Sequence, residues 1–214
     1  MRLISISVGG PREIPADGRM VRTSIFKVPV SGPVRVKRLN LEGDAQSDLS
    51  VHGGLDKAVY AYPSEHYAYW RGELPGMELP WGVFGENLTT DGLSEKDVKI
   101  GDRLRIGSAA FTVKQPRLPC FKLGIRFGRP DMVKRFLRSG RTGFYLAVIQ
   151  EGEIAAGDAI DWFSGKKPSL SVSDVARLYT DEHPEPELLR QASELAALSA
   201  GWREHFRSRL PRTS

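Results

Sequence analysis

The 214-residue chain has an ordinary globular composition, with 40% hydrophobic residues, 27% charged residues and a formal net charge of +5. Its longest apolar run, 144–149, is far shorter than the roughly 20 residues that a membrane-spanning helix needs. The first residues lack the long apolar stretch of a secretory signal. A single cysteine, Cys120, excludes an internal disulfide framework and an all-cysteine zinc site. We therefore expect a soluble, cytoplasmic protein.

Residues 1–167 predict a mostly β (α+β) domain. Glycine and proline turns separate short apolar or β-branched segments, a pattern typical of closed or sandwich-like β architectures. The expected strands lie at 3–8, 24–30, 34–39, 98–100, 104–106, 111–113 and 144–149. The strand-entry pattern Gly-Asp-x-Leu/Ile occurs twice, at 101–104 and 157–160. Two occurrences are too few to define a repeat.

Helices are predicted within this β domain and after it. Ser64 is the expected N-cap of a helix at 65–71 that ends at Gly72, and Pro130 suits the first turn of a helix at 130–139 that ends at Gly140. Residues 168–214 predict a separate three-helix domain, with helices at 172–180, at 187–198 and around 202–210. Ser171 and Asp174 form the capping-box signature that opens the first of these three.

Positive charge is concentrated between residues 114 and 141. This segment has nine basic residues against one acidic residue, Asp131, and so carries more positive charge than the whole chain. Such a segment attracts anions. It suits nucleic acid, a small anionic ligand or simply an exposed charged face, and nucleic acid is the least expected because no recognised binding motif accompanies the charge.

Cys120 stands in the segment 115–123, between two cations. Arg117 and Lys122 would stabilise the thiolate, which is the reactive and metal-ligating form of cysteine. The neighbouring prolines would stiffen the loop that presents the sulfur. The alternative is that Cys120 is a small buried hydrophobic residue, which is the usual role of a lone cysteine.

A second candidate cluster contains His52, Gly53, Gly54 and Asp56. Paired glycines allow positive φ angles and a close approach of the backbone to a ligand, and successive amides in such a turn form an anion-binding concavity. The alternative is an ordinary polar turn with a hydrogen-bonded structural histidine.

A third cluster contains Glu86 and Asn87, whose carboxylate and amide suit a polar heterocycle. Glu86 alone is equally compatible with an exposed charge at the end of a strand. Arg141, just before the strand at 144–149, would add a guanidinium directed to a phosphate. Other chemistry is not supported, because the four histidines lack the spacing of a zinc motif and the sequence has no nucleophile elbow, Walker loop or dinucleotide-binding glycine motif.

Taken in order, six segments of the chain resemble the MOSC domain, the module related to the C-terminal part of molybdenum-cofactor sulfurase. The segments are 25–27, 43–48, 52–59, 84–90, 115–123 and 140–145. The branch that this chain resembles most is the YiiM type, which carries a C-terminal three-helix domain. The resemblance implies a MOSC-type β-barrel with peripheral helices that binds the molybdenum cofactor, with Cys120 as the protein ligand to the metal.

The resemblance also suggests roles for the other candidate residues. By their charge, Arg117, Lys122 and Arg141 are assigned to the phosphate or the pterin of the cofactor. The residues expected to face the pterin or the substrate are His52, Gly53, Gly54, Asp56, Glu86 and Asn87.

The activity implied by the resemblance is the reduction of N-hydroxylated bases and related N-oxygenated compounds, R–NHOH + 2e⁻ + 2H⁺ → R–NH₂ + H₂O. Electrons would come from a separate flavin or iron–sulfur reductase, because this sequence shows no motif for such groups and one cysteine cannot hold an iron–sulfur cluster. The alternative is a sulfur-carrier or cofactor-delivery module in which Cys120 holds a persulfide.

Overall fold

The computed structural model describes residues 1–16, 18–47, 53–165 and 169–211 as a sheet-dominated α+β fold. Its strands are β1 (Arg2–Val8), β2 (Arg12–Ala16), β3 (Arg19–Thr23), β4 (Val28–Pro29), β5 (Val34–Val36), β6 (Val59–Pro63), β7 (Leu88–Asp91), β8 (Arg103–Ile106), β9 (Ala109–Pro116), β10 (Phe144–Gln150), β11 (Gly152–Ile154) and β12 (Ile160–Phe163). Its helices are α1 (His66–Glu73), α2 (Phe121–Phe127), α3 (Met132–Ser139), α4 (Val172–Thr180), α5 (Pro186–Glu194) and α6 (Ala200–Ser208), with a 3₁₀ turn at Leu55–Lys57.

Eight strands form one mixed sheet in the order β12-β8-β9-β10-β6-β7-β1-β4. Neighbours are antiparallel except for the pair β6 and β7, which run parallel. Arg2 in β1 and Ala159, just before β12, form an isolated antiparallel bridge that brings the two ends of the sheet together. The mostly β prediction is confirmed. Three backbone hydrogen bonds accompany this bridge: Leu3 N–H donates to Asp158 at 2.9 Å, Gly157 N–H to Leu3 at 2.7 Å and Ile160 N–H to Met1 at 3.2 Å. In the described part of the chain these contacts do not form a regular strand ladder, so the structure shows no closed barrel.

The main core lies between this sheet and the C-terminal helices. β9 alternates buried and half-buried residues, as expected for a strand with one face against a core. Val113 of β9 belongs to the same buried cluster as Val172 of α4 and Phe206 of α6. The C-terminal helices thus share one buried core with the sheet. The domain boundary predicted near residue 167 stays a prediction.

A second buried cluster is largely aromatic and fixes one side of the sheet. Tyr62 of β6 lies with its ring centroid 4.8 Å from that of Phe84, and Trp70 of α1 stacks on Phe136 of α3 at 5.8 Å. Such ring pairs contribute about 0.5–1.5 kcal/mol each beyond the area they bury. This cluster therefore anchors α1 and α3 beside β6.

Several sequence predictions need correction. The strand expected at 24–30 is reduced to β4, and residues 98–100 form only a bridge at Lys99. Helix α1 begins after Glu65 with no side-chain cap, so Ser64 is not its N-cap, and Gly72 lies within it. The end of α3 at Gly140 and the capping box of α4 are confirmed. In the ranges that the structure describes, no helix is long and apolar enough to cross a membrane.

Candidate functional site

A cleft beside Cys120 encloses about 690 Å³ of empty space, part of it open to solvent. The lining residues are Thr23, Ser24, Ile25, Lys27, Asp44, Ala45, Gln46, Ser47, Lys57, Ala58, Tyr60, Gly85, Asn87, Arg117, Leu118, Cys120, Lys122 and Tyr145. The cleft therefore collects side chains from the end of β3, from β6, from the β9–α2 connection and from β10.

Cys120 occupies the N-cap position of α2 in an extended backbone conformation, with φ −121° and ψ 176°. Its side chain makes no capping hydrogen bond, and the residue is partly exposed. The thiol is thus not committed to the helix and lines the cleft. The described residues hold no cluster of three His, Cys, Asp or Glu side chains that could bind a metal ion. The role of Cys120 as a metal ligand stays a prediction.

Arg117 places a nearly buried guanidinium in the same cleft. The residue is 5% exposed, and its Cζ lies 4.7 Å from the ring centroid of Tyr60 and 5.2 Å from that of Phe136. Burial lowers the pKa of Arg117, but Tyr60, Tyr145 and Cys120 more than offset this, so the net direction is upward. No carboxylate of the described residues lies within ion-pair distance. A buried charge without a counter-ion is costly, so this site favours an anionic ligand.

Tyr60 contacts Arg117 through both its ring and its hydroxyl group. The Tyr60 hydroxyl donates to the carbonyl oxygen of Thr142 at 2.8 Å and accepts a long, 3.5 Å contact from Arg117 Nη1. Its ring lies 5.3 Å from the ring of Tyr145, which also lines the cleft. Burial raises the pKa of both phenols above the ordinary value, so both are neutral near pH 7. Tyr60 therefore acts as a neutral support for the guanidinium.

Lys27 and Asp44 form an ion pair on the opposite wall. Asp44 Oδ2 accepts from Asn87 Nδ2 at 2.9 Å, and Asn87 Oδ1 accepts from the backbone N–H of Tyr60 at 3.0 Å. Asp44 Oδ1 also accepts from the N–H of Gly9 at 2.9 Å. Burial lowers the pKa of Lys27, and the Asp44 carboxylate opposes that shift. The network fixes an ammonium group at the cleft while joining it to β6.

The balance of charge in the cleft is positive. Lys57 and Lys122 line it together with Lys27 and Arg117, and Asp44 is the one carboxylate among the lining residues that the structure describes. Lys122 is 8% exposed, and burial lowers the pKa of Lys57. Cations grouped in a concave, partly desolvated site raise the local concentration of anions.

Four of the residues singled out by sequence lie together in this cleft, namely Cys120, Arg117, Lys122 and Asn87. Their roles toward a cofactor stay predictions. The residues that sequence reasoning assigned no role are Lys27, Asp44, Lys57, Tyr60 and Tyr145. The segments 25–27 and 43–48 were already part of the family resemblance, which was the one signal that pointed to Lys27 and Asp44.

Glu86 is not brought to the cleft. It is fully buried and accepts from the hydroxyl of Tyr67, from the N–H of Gly82 at 2.8 Å and from the hydroxyl of Thr89 at 3.2 Å. Burial raises its pKa, and these hydrogen bonds only partly oppose the shift. The structure therefore makes Glu86 part of the framework of its loop, neither a cleft residue nor an exposed charge.

Other predicted residues also lie outside the cleft lining. Arg141 stacks on Tyr69, with Cζ 3.9 Å from the ring centroid, and Asp56 pairs with Lys114 at 3.3 Å. Gly53 and Gly54 do not line it either, although the N–H of Gly54 donates to the side-chain oxygen of Gln46, a lining residue, at 3.0 Å. His52 lies outside the described residues.

The basic run between residues 114 and 141 does not form one continuous patch. Three of its members are paired with carboxylates: Lys114 with Asp56, Arg129 with Asp131 and Arg135 with Glu73. Two others, Arg117 and Lys122, line the cleft. The charge that stands out in the sequence is therefore divided among surface ion pairs, the cleft and other positions, such as Arg126 beside Phe26 and Arg141 beside Tyr69.

Comparison with known proteins identifies the family. The family model of the MOSC domain matches residues 48–161, and that of the YiiM-like, 3-alpha helix domain matches residues 170–212. The chain belongs to the MOSC family. YflK of Bacillus subtilis (strain 168) is 42% identical to this MOSC protein over 205 residues, which cover 95% of this chain and 92% of YflK. YiiM of Escherichia coli (strain K12) is 34% identical over 189 residues, which cover 87% and 84% of the two chains.

Solved structures agree with this assignment. The crystal structure of YiiM from Geobacillus stearothermophilus superposes on the MOSC protein with a TM-score of 0.82 at 37% identity, covering 98% of this chain and 99% of that one. A protein of Gibberella moniliformis (strain M3125 / FGSC 7600) named Reductase is 35% identical over 181 residues, which are 83% of the MOSC protein and 32% of that relative. The MOSC protein therefore spans about a third of the length of this last relative.

Proposed function

We propose that this MOSC protein binds the molybdenum cofactor in the cleft and reduces N-hydroxylated bases and related N-oxygenated compounds with electrons from a separate reductase. One observation carries the proposal: the single thiol of the chain lines the same cleft as a buried guanidinium, which has no carboxylate partner in the part of the chain that the structure describes. A soft thiolate suits molybdenum, and cations suit the phosphate of an anionic pterin.

The residues of the cleft fit this cofactor in kind and in charge. Cys120 would ligate the metal, and Arg117 and Lys122 would hold the phosphate or the pterin, with Tyr60 fixing the guanidinium. Once bound, the cofactor supplies the two-electron redox chemistry of R–NHOH + 2e⁻ + 2H⁺ → R–NH₂ + H₂O, whereas the protein supplies ligation, orientation and electrostatics. The reductase name of one relative supports this class of reaction.

The first experiment measures molybdenum and pterin per chain in protein purified from a host that makes the cofactor. We expect bound molybdenum in the wild-type protein and its loss in Cys120→Ser, because an alcohol is a poor ligand for a soft metal. A wild-type preparation without metal or pterin contradicts the proposal.

The Arg117→Met variant separates ligand binding from folding. Replacing a buried, carboxylate-free charge by an apolar side chain leaves the cofactor-free protein as stable as wild type or more so, because such charges are costly to desolvate. The same change is expected to lower retention of the cofactor. Arg103→Met, at an exposed arginine of β8, is the matched control and should alter neither property. An Arg117→Met protein that is strongly destabilised yet retains the cofactor contradicts the assigned role.

Activity is tested with a hydroxylamino base and a chemical reductant. Wild type should form the amine, and Cys120→Ser should not. The sulfur-carrier alternative makes the opposite prediction, since it requires a cyanide-labile sulfur on Cys120. Mass spectrometry that finds this sulfur on protein lacking molybdenum would refute the reductase proposal and favour the carrier.

A further inference from the structure

Beside the cleft lies a surface of arginine and aromatic side chains. We call it the hairpin surface, because two of its arginines belong to the β2–β3 hairpin, on the same face of it. Its members are Arg12, Arg19, Phe26, Phe121 and Arg126. Phe121 is 46% exposed, which is a large fraction for an apolar side chain, whereas Phe26 and Arg126 are half-buried.

The members are joined by cation–π contacts. Arg12 Cζ and Arg126 Cζ lie 5.9 Å and 5.1 Å from the ring centroid of Phe26, so one ring serves two guanidinium groups. Arg19 Cζ lies 5.7 Å from the ring centroid of Phe121. These contacts hold the cations against the rings, within about 6 Å of each centroid, instead of leaving them free in solvent.

The arginines of this surface have no ion-pair partner among the described residues. None of Arg12, Arg19 and Arg126 has a carboxylate of that part of the chain within ion-pair distance, in contrast to the paired cations elsewhere on the molecule. Burial lowers the pKa of Arg126, the carboxylate of Glu86 opposes that shift, and the like charge of Arg12 adds to it. A group with negative charge would be attracted to these guanidinium groups.

Residues of the hairpin surface are direct chain neighbours of residues that line the cleft. Phe121 follows Cys120 directly, and Phe26 stands between Ile25 and Lys27, which both line the cleft. Strand β3 ends at Thr23, another lining residue. A protein bound to the hairpin surface would therefore contact residues that are direct chain neighbours of the cleft lining.

We infer that the hairpin surface is the docking site of the electron donor and that the donor is an electron-transfer protein with an acidic face. The inference rests on the proposed function, which requires a separate donor. Arginine and aromatic residues are among the types enriched at the centres of protein interfaces. Arginines that have no ion-pair partner among the described residues would steer an acidic partner and reject a basic one. A nucleic acid is disfavoured as the occupant, since the arginines are engaged with the rings of the protein itself.

The electron balance defines the donor. Two reduced one-electron donors, D(red), satisfy R–NHOH + 2 D(red) + 2H⁺ → R–NH₂ + H₂O + 2 D(ox). The N–O bond breaks, the oxygen leaves as water, and each donor is oxidised by one electron. An acidic [2Fe–2S] ferredoxin, kept reduced by NADPH and ferredoxin reductase, is the probe for this class.

The test compares ferredoxin-driven and chemically driven turnover of the holoenzyme. The Arg12→Glu/Arg19→Glu double variant should lower ferredoxin-supported kcat/KM by about tenfold or more at low salt, and the difference should shrink as salt screens the charges. With the chemical reductant, the double variant should match wild type within twofold. Arg103→Glu, an equivalent reversal on the far end of the sheet, is the control and should leave both rates unchanged.

Each remaining outcome is decisive. Equal ferredoxin rates for wild type and the double variant overturn the docking site, as does wild-type protein that turns over with the chemical reductant and not with ferredoxin. A wild type inactive with both reductants refutes the proposed function instead. Single-stranded RNA that binds wild type tightly and the double variant weakly, with ferredoxin rates unaffected, assigns the hairpin surface to nucleic acid and overturns the inference.

Discussion

Asp102 is expected to stabilise the junction between the sheet and the residues before the C-terminal helices. It is 2% exposed, and its Oδ2 accepts from the N–H of Lys99 at 2.9 Å and from Trp162 Nε1 at 2.8 Å. Its Oδ1 accepts from the N–H of Gly165 at 3.1 Å. Three donors thus converge on one buried carboxylate, and no acceptor faces it among these contacts.

The Asp102→Asn variant changes one atom and reverses one of these contacts. An amide oxygen can replace Oδ2 and keep two donors, but the new NH₂ group then points at the N–H of Gly165. A buried donor left without an acceptor costs about 1–3 kcal/mol, and bonds to a neutral amide are weaker than bonds to a carboxylate. We expect the free energy of unfolding to fall by about 2–4 kcal/mol.

Asp158 provides the matched control, since it occupies the same position of the second Gly-Asp-x-Leu/Ile pattern. Its Oδ2 accepts a single bond, from the N–H of Ala155 at 2.8 Å, and the residue is partly exposed. An asparagine there keeps that bond and turns its NH₂ toward water, so Asp158→Asn should cost under about 0.5 kcal/mol. Urea unfolding followed by tryptophan fluorescence measures both variants. Equal losses for the two asparagines would refute this reasoning.

Three further predictions concern the backbone, a helix end and pH. Gly143→Ala should lower the free energy of unfolding by about 2 kcal/mol or more, because Gly143 has φ +61° and a Cβ would lie 2.5 Å from the carbonyl oxygen of Ala61. Gly140 has a similar φ of +65° but open space around it. Gly140→Ala should therefore cost only about 1 kcal/mol in the same urea assay. Arg209→Ala removes the guanidinium that donates to the last carbonyls of α4 and should lower stability by about 1–2 kcal/mol, with faster amide exchange in α4; unchanged exchange would contradict the capping role. Burial lowers the pKa of His205 below its ordinary 6.5, so the folded state binds a proton less readily than the unfolded chain, and wild-type stability should fall as pH drops below about 6.5. His205→Gln should show a smaller loss between pH 7.5 and pH 5, and equal losses would refute the assignment.

Local signals in the sequence predicted the elements whose environment is regular. The capping box of α4 was correct because both halves of the motif lie within the element itself. Strands β9 and β10 were recognised because β-branched and aromatic residues recur where one face meets the core. In these segments, local preference and tertiary packing require the same conformation.

Other elements were missed because their neighbours decide their conformation. The β2 strand has no buried residue, since it pairs only with β3 and is largely exposed, so its sequence gives no clear apolar alternation. The β6 strand is buried on both faces between β10 and β7, so it also lacks alternation. Helix α2 contains Gly124, whose Cβ would lie 3.0 Å from the carbonyl oxygen of Arg129, so a close backbone contact requires a residue that weakens the helical signal.

The part of the site that was predicted consists of residues that are close together in the sequence. Cys120, Arg117 and Lys122 lie within six residues, so their chemistry is visible in a single segment. Tyr60 reaches the cleft from β6, which the sheet places between β7 and β10. Lys27 reaches it from the stretch before β4. No local pattern encodes such a meeting of distant segments.

Glu86 and Asn87 show why a motif cannot be assigned to a ligand as a whole. They are adjacent just before β7, yet their side chains have different surroundings. Asn87 lines the cleft and donates to Asp44, while Glu86 is fully buried and accepts from donors of its own loop. The carboxylate that looked suited to a heterocycle organises the loop that presents the amide. A substitution at Glu86 is therefore expected to lower the stability of this loop, because its buried donors lose their acceptor, and to disturb cofactor retention through the displaced Asn87.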